Sequence, residues 1–266
     1  MRQVHRLMSA LVVVMFVGWV AIAAAATPEV RRALAPTGKL RVGLIVGVPA
    51  QVTLDSATGE MKGVAFDLSS ELAKRAQVPL EPVLYKSINA LLDGGKSGQW
   101  DIAVFGFSAA RAKEWDFTAP HLEIELGYLV PSGSPISAVG EVDRAGIRIA
   151  VADKGQADRV LSPAIKAASL VRVATIPDAL ELLKSGKAHA FAANKPSLFE
   201  MSDQHRDLRV IEGRFASDLQ AMAMPKGREL GIAYARKFVD DAKSLGLVKA
   251  AIERAGMRGA VVAPIR

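Results

Sequence analysis

The chain has 266 residues, half of them hydrophobic, with 34 basic against 27 acidic residues for a net charge of +7, and it contains no cysteine. The missing thiols exclude a disulfide framework, thiolate metal sites, a cysteine nucleophile and a lipid-modified cysteine. Basic residues are interleaved with acids, as where Glu71 precedes Lys74 and Arg75, so no dense block invites nucleic acid and no such partner is expected.

The N-terminus reads as a secretory signal. Arg2, His5 and Arg6 precede an apolar run from Leu7 to Ile22 broken only by Ser9 and Gly18, and Ala23 to Ala26 follow with small side chains. Basic, apolar and small-residue regions in that order mark an export segment, here residues 1–26 with cleavage after Ala26 and a soluble mature chain from Thr27. Left attached, the run approaches the roughly 20 residues of a membrane anchor and would make the remainder an anchored sensor ectodomain.

Beyond it, short apolar runs alternate with helix-period segments, which predicts an α/β fold with largely parallel sheets. A strand is expected over 39–46. A helix follows over 67–76, with Leu68 and Leu72 one turn apart, and Pro79 ends it before a strand over 80–84. Ser87 is placed to cap a short helix that Gly94 and Gly95 close, and a strand over 101–105 comes next. A further strand ends at Tyr128 to Val130.

Pro131-Ser132-Gly133-Ser134-Pro135 is a turn-rich break between domains. After it, strands are expected over 147–151, 170–174 and 189–193, with helices over 157–168 and 177–185. A last strand over 219–224 leads into a long amphipathic helical segment carrying Leu230, Tyr234, Phe238, Ala242, Val248 and Ile252.

No nucleophile elbow, phosphate-binding loop or dinucleotide fingerprint occurs, and no two of the four histidines are spaced for a metal. No catalytic residue, metal site or cofactor is therefore predicted. The informative stretch is 99–130, where a strand runs into Gly106 and Ser108 can cap a short helix holding Arg111. That arrangement sets N–H groups, a hydroxyl and a guanidinium at a strand's C-terminal end, where open α/β sheets bind ligands. Arg111 has a second possible role, a surface ion pair with Glu114 or Asp116.

In these residues the chain resembles the bacterial extracellular solute-binding proteins of family 3, the amino-acid type. Gly38-Lys39-Leu40-Arg41-Val42-Gly43 is similar to the family's opening strand, and Gly63-Val64-Ala65-Phe66-Asp67-Leu68 to its G-F-x-x-D-L signature. Gly98-x-x-Asp101, Ser108-Ala109-Ala110-Arg111 and Phe117-Thr118-x-Pro120 follow in the family's order, then Gly146 to Val151, Gly155-Gln156 and Pro225-Lys226-Gly227.

The resemblance implies a type II periplasmic binding protein fold, two α/β lobes joined by a hinge of two crossings. Lobe 1 would comprise residues 27–131 plus 222–262 and lobe 2 residues 132–221, crossing near Tyr128 to Pro131 and Leu219 to Met224. It implies a monomeric periplasmic protein that captures a small polar or anionic molecule by hinge closure and delivers it to an ABC transporter permease. Arg111 would clamp a carboxylate, Ser108 and Gly106 would support it, and Gly155-Gln156 would offer N–H groups from lobe 2. Phe105 and Phe107 would form an apolar wall, with core packing the alternative for Phe105.

Two departures accompany the match. The Asp101 to Arg111 interval is two residues shorter than usual, and neutral Asn194 stands where the family holds the ligand ammonium with an aspartate. An amide gives an ammonium no countercharge, which counts against an α-amino acid as the ligand, and Lys195 beside it either favours an acidic or carboxylate-only ligand or lies in solvent. The rival to pure binding is a dehydratase-type enzyme on this fold, with His121, Glu123 and Glu125 as its acid or base.

Overall fold

The computed structural model describes residues 26–264 apart from Ser56 and Lys154, so the signal segment, save its last residue, lies outside the described residues. The chain opens with helix α1 (Pro28–Leu34), strand β1 (Leu40–Ile45), a hairpin of β2 (Thr53–Leu54) and β3 (Met61–Lys62), and helix α2 (Val64–Ala76). Strand β4 (Leu80–Tyr85), helix α3 (Ile88–Lys96), and strands β5 (Ile102–Gly106) and β6 (Trp115–Phe117) complete the first group.

Strand β7 (Leu122–Pro131) leads to a second group: β8 (Arg148–Ala152), α4 (Gln156–Leu161), β9 (Ser169–Val173), α5 (Ile176–Lys184), β10 (Ala190–Asn194), α6 (Lys195–Gln204) and β11 (Leu208–Val210). Strand β12 (Ala216–Pro225) returns the chain to helices α7 (Glu229–Ser244) and α8 (Leu247–Arg254) and strand β13 (Ala260–Val262).

One mixed sheet runs through both groups in the order β4-β1-β5-β12-β7-β10-β8-β9. β1 lies parallel to β4 and β5, and β8 lies parallel to β9 and β10. Among the described residues, the two parallel sets meet only through the antiparallel pair β7 and β12. Leu122 to Leu126 of β7 pair with β12, whereas Leu126 to Leu129 pair with β10; Gln220 to Ala223 of β12 pair with β5.

Each group buries apolar side chains on both sheet faces, as strands covered on two sides require. Around β1 and β5, Leu40, Val42 and Leu44 pack against Leu72 of α2 and Phe238 of α7. The opposite face is aromatic: Trp100 and Trp115 stack at 5.0 Å, and Phe105 meets Phe117 edge-on at 5.3 Å. In the second group, Ile149 and Val151 face one core while Ala150 and Phe191 face another, the period of two that a strand imposes.

Several family-like motif residues are structural ties. The Asp101 carboxylate, fully buried, accepts from the Arg41 backbone N–H at 3.0 Å and pairs with the Arg41 and Arg228 guanidinium groups at 2.8 Å. Burial pushes its pKa up, but the two arginines more than offset this and hold it below the usual carboxylate value. Gly63 has φ 154°, and any side chain there would stand 2.4 Å from the Gln51 carbonyl oxygen. Asp67 receives Arg254 at 2.9 Å, tying α2 to α8.

The structure departs from the expected elements at identifiable residues. The helix expected over 157–168 ends at Leu161, because Pro163 brings no N–H to the ladder. The long C-terminal segment breaks at Leu245-Gly246 into α7 and α8. Helices α1 and α6 were not anticipated.

His121 does not face a cleft. It is completely buried and neither ring nitrogen has a hydrogen-bond partner. Burial, with the nearby Lys243 ammonium, lowers its pKa from 6.5 to about 3. The unfolded chain therefore binds a proton that the folded chain refuses as pH falls from 6.5 toward 3, and stability drops across that window by up to about 1.4 kcal/mol per pH unit. Urea unfolding at pH 7 and pH 4.5 is expected to show a smaller acid loss in His121→Leu than in the wild type.

Candidate functional site

A cavity of about 590 Å³ lies where the two groups meet. The first group contributes Val48 to Ala50 after β1 and Ala255 to Arg258 after α8; the second contributes residues after β8 and β10; Ile124, Leu126 and Asp218 of the crossing strands form the back wall. The C-terminal ends of parallel strands thus open onto it, as α/β sheets arrange their ligand sites.

Gly155, Gln156 and Asn194 border this cavity. The Gly155 N–H, however, donates to the Ala152 carbonyl at 2.9 Å, and a side chain at 155 would stand 2.9 Å from that same oxygen. Glycine here lets α4 begin against the strand, so the turn's ligand-facing part starts at Gln156. The Asn194 side-chain oxygen accepts the Ser197 N–H at 3.0 Å and caps α6, with Pro196 in its first turn. Its acceptor thus serves the helix, leaving the amide NH₂ as its other hydrogen-bonding group.

Gly106, Ser108 and Arg111 come together next to the cavity-lining Asp218, and none of the three is itself among the residues that line the cavity. The Ser108 hydroxyl accepts the Arg111 N–H at 3.2 Å, opening a single 3-10 turn, and the Arg111 Nη1 donates to the Gly106 carbonyl at 2.8 Å. The surface ion pairs open to Arg111 do not form, since Glu114 pairs with Lys96 at 3.0 Å and Asp116 with Lys226 at 3.3 Å. A methyl group on Gly106 would lie 3.2 Å from the Arg111 Nη1 and 3.0 Å from the Asp218 Oδ1. Guanidinium and carboxylate therefore face one small gap. Burial lowers the Arg111 pKa, Asp218 opposes the shift, and Arg159 on α4 adds to it.

Asp218, which lines the cavity, escaped the sequence reading. Its signal was an acid and an amide, Asp218 and Gln220, two apart in an apolar strand and hence on one face; their side chains meet at 2.6 Å.

Other expected site residues lie elsewhere. Phe105 is a core residue, buried among Trp100, Trp115 and Phe117, because strand alternation turns it away from Gly106; only the Arg111 guanidinium over its ring, at 5.5 Å, links it to the site. Phe107 is exposed and rests edge-on against Phe117 at 5.3 Å. Lys195 is neither solvated nor turned to the cavity. Its stem crosses Gly127 and Gly259, and its ammonium is held 2.6 Å from Glu125, since a buried cation requires a countercharge. Arg214 bridges Glu123 at 2.5 Å and Glu125 at 3.3 Å, so the two carboxylates weighed as catalytic are engaged in ion pairs.

At the cavity's other end, Arg258 stacks on Phe199 of α6 at 4.7 Å, donates to the Phe199 carbonyl at 3.2 Å and pairs with Asp203. This contact joins the segment after α8 to the second group.

A polar-edged cavity between two α/β units, backed by the strands that join their sheets, defines a solute-binding protein of the two-lobed type. The chain belongs to the bacterial extracellular solute-binding proteins, family 3, whose model matches residues 40–254. Its fold is that of type II periplasmic binding proteins. The glutamine-binding protein of a Bacillus subtilis ABC transporter is 23% identical over 194 residues, covering 70% of each chain.

Among solved structures, a putative ABC transporter binding component from Wolinella succinogenes, complexed with lysine, superposes with a TM-score of 0.67 at 23% identity, covering 82% of this chain and 95% of its own. An ancestral amino acid-binding protein described as a precursor of cyclohexadienyl dehydratase gives 0.63 at 19% identity, over 83% and 96%.

Lys195→Met leaves Glu125 with Arg214 alone and is expected to cost about 2 kcal/mol, below the usual range for a stranded buried charge because one partner stays. Chemical denaturation monitored by circular dichroism measures it.

Proposed function

We propose that the protein is the exported capture component of an ABC importer, binding an amino acid or related small carboxylate in the cavity and passing it to a membrane permease. The observation that carries this reading is the cavity itself, walled by strand ends of both groups and by Asp218, beside which Arg111 stands with its Gly106 and Ser108 supports. A guanidinium matches a carboxylate with paired donors, and partial burial strengthens that contact.

Capture would proceed by closure of two lobes, residues 27–131 with 222–262 and residues 132–221, around pivots within β7 and β12. At Leu126 the pairing of β7 with β12 ends and its pairing with β10 begins, which supports a pivot inside the strand. Ligand would meet the Arg111 side first and gain Gln156 and the Asn194 amide on closing. The exported form would begin at Thr27 and act as a monomer in the periplasm.

A dehydratase-type activity has the ancestral neighbour in its favour. The ion pairing of Glu123 and Glu125 and the burial of His121 weigh against the acids and bases expected for it.

A thermal-shift screen against amino acids, dicarboxylates and small organic anions is expected to yield a stabilising ligand whose effect Arg111→Ala abolishes. An equal response from the variant would remove Arg111 from the site, and conversion of the ligand to product would favour the enzyme.

A further inference from the structure

We infer that Asp218, on the crossing strand β12, supplies the countercharge for the ammonium of a zwitterionic ligand, a role that the neutral Asn194 does not fill. This inference rests on the solute-capture reading above.

The observations concern which carboxylates the cavity offers. Three line it: Asp203 is paired with Arg258, Glu200 is exposed on α6, and Asp218 is half-buried in the back wall. Gln220 donates to one Asp218 oxygen at 2.6 Å, which fixes the carboxylate's orientation. Among the described residues, no cation lies within ion-pair distance of it.

The half-buried Asp218 carboxylate has no cation in contact, and Arg111 answers its charge only across the gap, so one of its oxygens can still receive an ammonium. Its neighbour completes the pattern. Arg111 faces the same gap beside Gly106, so a positive and a negative group stand side by side. An α-amino acid carries its carboxylate and ammonium on one carbon and complements that arrangement. A simple organic acid would satisfy Arg111 but meet repulsion from Asp218, and a simple amine would meet the converse.

Placing the countercharge on the crossing strand also alters the order of recognition. Both charges of the ligand are met before the second group contributes, so discrimination against acids lacking an amine occurs at first contact.

The test is isothermal titration of the full exported chain with the twenty L-amino acids and, for each that binds, its 2-hydroxy acid analogue. The wild type is expected to prefer the amino acid by at least tenfold. In Asp218→Asn that preference should disappear, amino acid affinity falling tenfold or more while the hydroxy acid binds as well or better. The wild-type comparison stands even if the variant folds poorly. Equal wild-type affinity for amino and hydroxy acids would overturn the inference while leaving capture intact, as would full selectivity retained by a folded Asp218→Asn. If the wild type binds no carboxylate in either series, the capture reading itself falls, and this inference with it.

Discussion

The antiparallel pairing of β7 with β12 is the constraint on which the rest of the structure depends. Among the described residues, the two parallel sheet sets, each with its own crossover helices and cores, share no other strand pairing. The paired stretches, Leu122 to Leu126 and Ala216 to Gln220, therefore lie between the two units. That explains why charge is concentrated there: Glu123, Glu125 and Asp218 project from the pair, and Lys195 and Arg214 reach across to meet two of them. Buried carboxylates of this kind are stable only where cations or donors answer them, so the ion pairs fix how α6 and the segment around Gly259 sit against the crossing strands.

Much of the fold was legible because its signals were local. Alternating apolar runs marked β1, β4, β5, β8, β9 and β10, and Ser87 capped α3 as its position indicated. Periodicity could not report α6, whose apolar face is weak, although Asn194 followed by Pro196 is a capping pattern written in the sequence. The boundary at Gly246 was similarly obscured by apolar spacing that continues across it.

The site was less legible, for a physical reason. Gly106, Ser108 and Arg111 are neighbours in sequence and were found together, as were Gly155 and Gln156. Asp218 is more than a hundred residues from Arg111 and meets it only through the register of β12 against β5. Conversely, Lys195 has the composition of a surface residue, and nothing local foretold that Glu125 on another strand would hold it. Several motif residues that mark the family, among them Gly63, Asp67 and Asp101, proved to bear structural load, joining loop to helix or strand to helix without reaching the cavity.

Two ion pairs that hold α6, Lys195 with Glu125 and Asp203 with Arg258, differ in their exposure to solvent. Lys195 with Glu125 is largely enclosed, whereas the Arg258 and Asp203 side chains are 54% and 60% exposed. Dissolved ions screen exposed charges within a Debye length of about 8 Å at physiological ionic strength, and reach enclosed pairs far less. Salt in the surrounding medium therefore weakens the hold of Arg258 on α6 and reaches the Lys195–Glu125 pair far less, so in brine the segment after α8 loosens while α6 stays fastened to the crossing strands.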